Sequence, residues 1–307
     1  MLICIAMVVT MAPCIVSAAD GVAINATNFP DANFLEFVSR ANDTNSDGFL
    51  SASEIAATKT MFVERKSISS LEGIEYFTAL EVLDCYDNNL TTLDVSNNTA
   101  LYSLDCSSNN LTTLDVSRNT ALELLYCYDN NLTTLDVSNN TALTFLLCSN
   151  NNLTTLDVSN NTVLESLNCG ENNLTTLDVS NNSALEFLDC CGNNISTLDI
   201  SCVPELLRVV NEGSESVFTY NGYESRYFFY DGSILACDLS TTIVTTPTVE
   251  PTVIVEPSVT PPPANEEPTS TVAPVRPSVD RTQAELFVTR CYEEALNRTP
   301  DSEGLAN

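Results

Sequence analysis

From Leu80 to about Leu206 the chain repeats one 21-residue unit six times without a gap, so that Leu80, Leu101, Leu122, Leu143, Leu164 and Leu185 each open a copy. The first copy reads LEVLDCYDNNLTTLDVSNNTA. A period this short makes each unit one turn that cannot bury an apolar face alone, whereas stacked turns share a continuous core. Leu83 and Cys85 alternate with Val82, Asp84 and Tyr86, and Leu93 alternates with Val95 in the second half of the unit. A period of two signals strand, so the spacing predicts two short strands per turn, with turns stacked about 4.8 Å apart.

Two asparagine positions recur inside the unit. Asn88, Asn109, Asn130, Asn151, Asn172 and Asn193 form one set, and Asn98, Asn119, Asn140, Asn161 and Asn182 the other. They read as internal ladders that satisfy backbone groups at tight turns, not as ligands. Six of the twelve cysteines (Cys85, Cys106, Cys127, Cys148, Cys169, Cys190) share one inward position. A thiol there acts as a small hydrophobe; the alternative is a metal-binding thiolate ladder. In-register neighbours have parallel Cβ vectors and fall outside disulfide geometry. That leaves Cys191, Cys202, Cys237 and Cys291 as candidates for disulfides, with no pairing assigned.

The copies barely differ over NNLTTLDVSNNTA but differ strongly at the outward positions of the first strand. Those positions therefore form the candidate ligand-binding face, with Tyr86, Leu124, Tyr126, Tyr128, Phe145, Leu147 and Phe187 as its aromatic and aliphatic residues. Leu124 to Leu147 would be an exposed apolar patch, the kind that marks an interaction site. Recent duplication followed by random drift is the competing explanation. Asp94, Asp115, Asp136, Asp157, Asp178 and Asp199 would stack in one column, either solvated and bonded to nearby Thr and backbone or holding cations.

The run LxxLxCxxNxL, restated as LxxLxVxxNxA, resembles the leucine-rich repeat family, in its short bacterial class with two nested half-repeats, over roughly residues 59 to 210. The resemblance implies a repeat solenoid, β-dominated, with a binding role and no catalysis. The segment SISSLEGIEYFTALEVLDC resembles the capping region of similar bacterial surface proteins.

Ahead of the repeats, Asp43 to Glu54 read DTNSDGFLSASE. Asp43, Asn45 and Asp47 match positions 1, 3 and 5 of an EF-hand loop, Gly48 its sharp turn, Phe49 the carbonyl donor, Ser51 position 9 and Glu54 the bidentate position 12. Leu50 supplies the apolar anchor. Phe34, Phe37, Val38 and Ala41 follow helical spacing after Pro30, and Ser51 with Glu54 forms a capping-box pattern. The expected cofactor is one structural calcium ion that closes the open end of the solenoid; an Asn/Asp-rich loop without metal is the alternative.

The remaining segments give the expected organisation. Residues 1–19 read as a secretory signal peptide without its basic start, 20–79 as the calcium-binding cap and 80–210 as the solenoid. Residues 211–240 read as a β cap, 241–282 as a Pro/Thr/Val-rich stalk, and 283–307 as a partial helical domain. That last stretch, AELFVTRCYEEALNRTPDSEGLAN, is similar to the start of the domain-of-unknown-function 4214 family. A net charge of −30, from 41 acids against 11 bases, excludes nucleic acid as a partner. The absence of histidine excludes His-based catalysis. The expectation is a monomeric, secreted or cell-surface protein with no membrane span in its mature chain, binding an extracellular protein or glycan. A non-catalytic targeting arm of a larger secreted enzyme is the alternative.

Overall fold

A computed structural model describes residues 21–220, 223–230 and 233–246. The expected signal peptide, nearly all of the stalk, and the segment 283–307 with Cys291 lie outside them.

The chain opens with β1 (Val22–Ala23), α1 (Ala32–Ala41), β2 (Phe49–Leu50) and α2 (Ala52–Ala57). Asp31 caps α1: its Oδ1 accepts the Asn33 and Phe34 N–H groups, and its Oδ2 accepts the Ser69 N–H and hydroxyl at 2.8 and 2.7 Å. One carboxylate thus closes the helix start and ties it to the chain leading into the repeats. Phe34 and Val38, one turn apart, are fully buried, and Phe29 packs edge-on against Phe34. Gly73 (φ 104°) lets the chain pass Phe29, whose ring carbon would lie 2.3 Å from a Cβ there.

The repeats build one sheet. After β3 (Thr60–Phe62), each unit contributes one three-residue strand: β4 (Val82–Asp84), β5 (Ser103–Asp105), β6 (Leu124–Tyr126), β7 (Phe145–Leu147), β8 (Ser166–Asn168) and β9 (Phe187–Asp189). Neighbours pair in parallel, residue for residue. The register stacks Leu83, Leu104, Leu125, Leu146, Leu167 and Leu188, all fully buried, and the cysteine column runs beside them. Each such leucine contributes about 1.5–3 kcal/mol relative to exposure.

The expected second strand does not form in each turn. The second half-repeat shows an isolated bridge between Asp94 and Asp115 and, in the last unit, β10 (Thr197–Asp199). Each aspartate here accepts the N–H of the serine two residues on, as Asp94 does from Ser96 at 2.9 Å; Asp84 and Asp105 make the same bond within the ladder, so it is the turn after it that departs from strand. The Asn98 N–H then turns back to Val95 O. Hydrogen bonds spent on turns leave few for a ladder.

Past the repeats, α3 (Pro204–Glu212) starts on the proline and leads into β11 (Ser214–Tyr220), β12 (Tyr223–Tyr230), β13 (Ser233–Asp238) and β14 (Thr242–Val244). β13 joins β9 in parallel, with Leu235 against Leu188 and Ala236 against Asp189. The next residue, Cys237, is fully buried behind Cys190 and adds a seventh rung to the thiol column. Its placement off the column is therefore corrected: the strand that carries it arrives from the cap, so no 21-residue spacing marks it. β14 pairs with β10, and the Asp238 carboxylate accepts the Gly192 and Asn193 N–H groups. The cap thus imitates a further turn and covers the open end of the core.

Candidate functional site

The parallel register sets three outward columns on the ten-stranded sheet. The first runs Val82, Ser103, Leu124, Phe145, Ser166, Phe187; the second Asp84, Asp105, Tyr126, Leu147, Asn168, Asp189. The third, one step beyond the strands, carries Tyr86, Ser107, Tyr128, Ser149, Gly170 and Cys191. All seven residues of the candidate face share this surface. The description of that face as exposed needs correction, however. Leu124, Tyr128 and Leu147 are only about one-twentieth exposed, while Tyr86, Tyr126, Phe145 and Phe187 are half-buried. Neighbours at strand spacing shield one another's flanks, and the Tyr86 and Tyr128 rings meet 6.3 Å apart across the unit that carries the fully buried Ser107.

Sequence reasoning missed three aromatics that the sheet adds to this face. Phe62 precedes Asp84 in the second column and is half-exposed. Tyr227 extends that column through Ala236, and Phe229, paired with Ile234, stacks on Tyr227 at 6.0 Å. None lies in the six gapless copies; Tyr227 and Phe229 lie beyond any periodicity, and Phe62 stands one turn ahead of Asp84 in the region that resembles the repeat. Arg65 also reaches the face, with its guanidinium 5.3 Å from the Tyr86 ring centroid and 3.3 Å from an Asp87 oxygen.

Inside the sheet the thiols are chemically quiet. Burial pushes Cys148 up to about 12; it pushes Cys237 to about 11, with Arg226 pulling the other way. Cys85 donates to Asp105 O at 3.2 Å and Cys190 to Ala236 O at 3.4 Å. Among the described residues every cysteine is a free thiol, and Cys202 is the exposed one.

The segment Asp43–Glu54 forms a tight loop held by its own side chains. Ser46 (φ 57°) and Gly48 (φ 83°) make the turn, and the Asp43 carboxylate accepts the Asp47 and Gly48 N–H groups. Asn45 Oδ1 accepts the Asp47 N–H, and Asp47 accepts the Phe49 N–H. The Glu54 carboxylate accepts the N–H and hydroxyl of both Ser51 and Thr44. Those bonds, led by Ser51, lower its pKa to about 2. Leu50 is fully buried and pairs with Val22, so β1 occupies the side of the loop where a second loop would pair. Asp43, Asn45, Asp47, the Phe49 carbonyl, Ser51 and Glu54 form an all-oxygen donor set of the kind hard cations take. Among the described residues no three acids already converge as a metal cluster.

One inward Leu-x-Cys strand per 21-residue turn, an asparagine ladder beneath it and a continuous parallel sheet define a leucine-rich repeat solenoid. Comparison with known proteins gives more particular likenesses. Residues 125–148 match the LVIVD repeat model. A 71-residue stretch is 44% identical to Internalin J of Listeria monocytogenes serotype 4b (strain F2365), covering 23% of this chain and 8% of that protein. Among solved structures, the functional domain of internalin J, described as including a cysteine ladder, is 34% identical over 60% of this chain and 53% of its own, at a TM-score of 0.41. A Leptospira interrogans leucine-rich repeat protein is 23% identical over 51% of this chain and 42% of its own, at 0.45. This chain thus spans a small part of the curated relative and about half of the first solved domain. Among the described residues no helix is long and apolar enough to cross a membrane.

Proposed function

We propose that this chain is a secreted or cell-surface recognition protein that binds an extracellular protein or glycan through the outward face of its sheet, without catalysis. The observation that carries this reading is the division of labour within the repeat. Positions facing the core or the turns are held constant, while the outward strand positions of one continuous surface differ from copy to copy. A pre-formed β surface loses little entropy on binding. The test is an array of extracellular proteins and glycans, screened with calcium present. A Tyr126→Ala, Phe145→Ala double variant with an unchanged thermal midpoint should lose the hit; retention of full affinity would remove this face as the site.

The loop Asp43–Glu54 is the second part of the proposal: it holds one calcium ion through the residues named above and stiffens the N-terminal cap. Glu54 serves both as ligand and as capping partner of Ser51. Calcium should raise the thermal midpoint of the wild-type protein and leave Glu54→Gln unmoved. A calcium-independent midpoint in the wild type would argue for a metal-free cap.

A further inference from the structure

We infer that the outward face selects an extended, basic peptide segment laid across the strands, along the axis of the solenoid. The inference rests on this face being the recognition surface and adds what the surface selects. Its floor is aromatic and its two rims are acidic. Immediately before the strands stand Glu81, Glu123, Glu165 and Glu186; just after them stand Asp87, Asp129 and Glu171. Between Lys66 and Arg208 the sequence has one basic residue, Arg118, and it lies in a second half-repeat. Lys59 and Arg65, at the N-terminal end, pair with Glu81 and Asp87. Farther along, acids crowd acids: burial and then Glu186 raise the Glu165 carboxyl, and burial followed by Asp189 and Asp238 raises that of Glu171. A cation between the rims relieves this repulsion.

The molecule already contains one instance of the proposed contact. Arg65 lies over the Tyr86 ring while its Nε meets Asp87. The same Tyr-Asp pair recurs two turns on as Tyr128 and Asp129, there with the Tyr128 ring shielded and Asp129 bonded to Asn150. Aromatic faces attract guanidinium and ammonium groups, and aliphatic stems of Lys and Arg lie well on the half-buried Tyr126 and Phe145.

Side-chain size along the face argues for an extended ligand. Units two and five are low, with Ser103 and Asp105 in one and Ser166 and Asn168 in the other; the bulky residues of units three and four stand between them. Three strand spacings separate the low units, about 14 Å, which is the span from residue i to i+4 of an extended chain, both on one side. In unit five Ser166 Oγ is buried with no partner among the described residues. A neutral glycan can hydrogen-bond the rim carboxylates but leaves their charge uncompensated, and an anionic one is repelled.

The test uses the full chain and a labelled decapeptide that alternates Arg and Thr, read by fluorescence anisotropy. Controls are the same peptide with Gln for Arg, and a neutral glucan oligosaccharide. The basic peptide should bind, and bind more weakly as salt is raised. The rim variant Glu165→Gln, Glu171→Gln, Glu186→Gln should weaken it about tenfold or more, equivalent to about 1.4 kcal/mol. A charge-matched variant, Asp115→Asn, Asp136→Asn, Asp157→Asn, keeps its turn-capping oxygens and should leave affinity within about twofold. Equal loss in both triples reduces the effect to net charge and overturns the inference. So does failure of the basic peptide to bind, or equal binding of the Gln peptide. If instead a neutral peptide or glycan binds and the Tyr126→Ala, Phe145→Ala variant abolishes it, the face still recognises and only its basic preference falls.

Discussion

The two halves of the repeat solve the same problem by different means. In the first half the backbone is paired strand to strand, and Asn130 is fully used: its Nδ2 donates to Cys106 O, Cys127 O and Tyr128 O, and its Oδ1 accepts the Leu111 N–H. In the second half there is almost no ladder. Asn140 donates to Val116 O and Asn119 O, while its Oδ1 is buried with no partner among the described residues, as are those of Asn98, Asn119, Asn161 and Asn182. A ladder is made by backbone that any residue supplies, so the outward strand positions are free to diverge. Without a ladder the path of the second half rests on its turns and its asparagine column, which depend on side chains, so that half is fixed. The contrast therefore explains why the second half is held constant, not which residues the outward strand positions take.

The largest test of this contrast removes one asparagine from each ladder. Asn130→Ala strands a buried N–H and withdraws a donor from three carbonyls, so a loss of about 4 kcal/mol is expected, at roughly 1–3 kcal/mol per orphaned buried group. Asn140→Ala withdraws two donations and also removes an unsatisfied oxygen, so about 2 kcal/mol is expected. Urea midpoints at constant slope measure both. Equal losses would break the comparison.

Titration separates the halves next. The first-half thiols are buried neutral, so their stabilisation is complete below the unfolded thiol pKa near 9.0 and is lost as pH rises toward the folded value, about 12 for Cys148. Each titrating thiol steepens the fall by up to about 1.4 kcal/mol per pH unit. The second-half aspartates are lowered by their serine bonds, and Glu54 is lowered from 4.5 to about 2. Their contribution is present above the unfolded carboxylate range and fades as pH falls through the lowered values. Alkaline unfolding should thus be blunted in Cys148→Ala relative to its own neutral-pH stability, and acid unfolding should be left unchanged by it. A third measurement follows from the same burial: at pH 8 a thiol reagent should label Cys202 quickly, and Cys85 through Cys190 only after denaturation. Rapid labelling of the column in the native state would contradict the sealed core.

Much of this was legible in the chain. The period of the repeat gave the solenoid, the inward Leu-x-Cys pair its core, and the recurring Asn its ladders, because each is a local pattern copied at fixed spacing. The second strand was misread because alternation at Leu93 and Val95 looks the same whether the chain pairs with its neighbours or turns back at Asn98. Cys237, Tyr227 and Phe229 were out of reach for a different reason. They join the sheet through β13, a pairing between residues 46 or more positions apart, such as Ile234 with Phe187, and no sequence spacing records a contact made once. The face itself was located by variation, but its shielding of Leu124, Tyr128 and Leu147 follows from register, which becomes visible only when strands are laid side by side.

The smallest predicted effect bears hardest on the argument from constancy. Thr133 and Thr134, like their equivalents Thr91 and Thr92 in the first unit, are exposed, and nothing in the structure explains why they recur in every early copy. If side-chain dependence fixes the second half, these two should be exceptions: Thr133→Ala with Thr134→Ala should shift stability by no more than about 0.5 kcal/mol, the ordinary range for surface substitutions. A urea midpoint that moves well beyond that range would give the threonines a structural role and extend the account of constancy to the whole half-repeat. A null result leaves their recurrence to duplication too recent to have diverged, and in that case the divergence confined to the outward strand positions becomes the stronger sign of selection on that face.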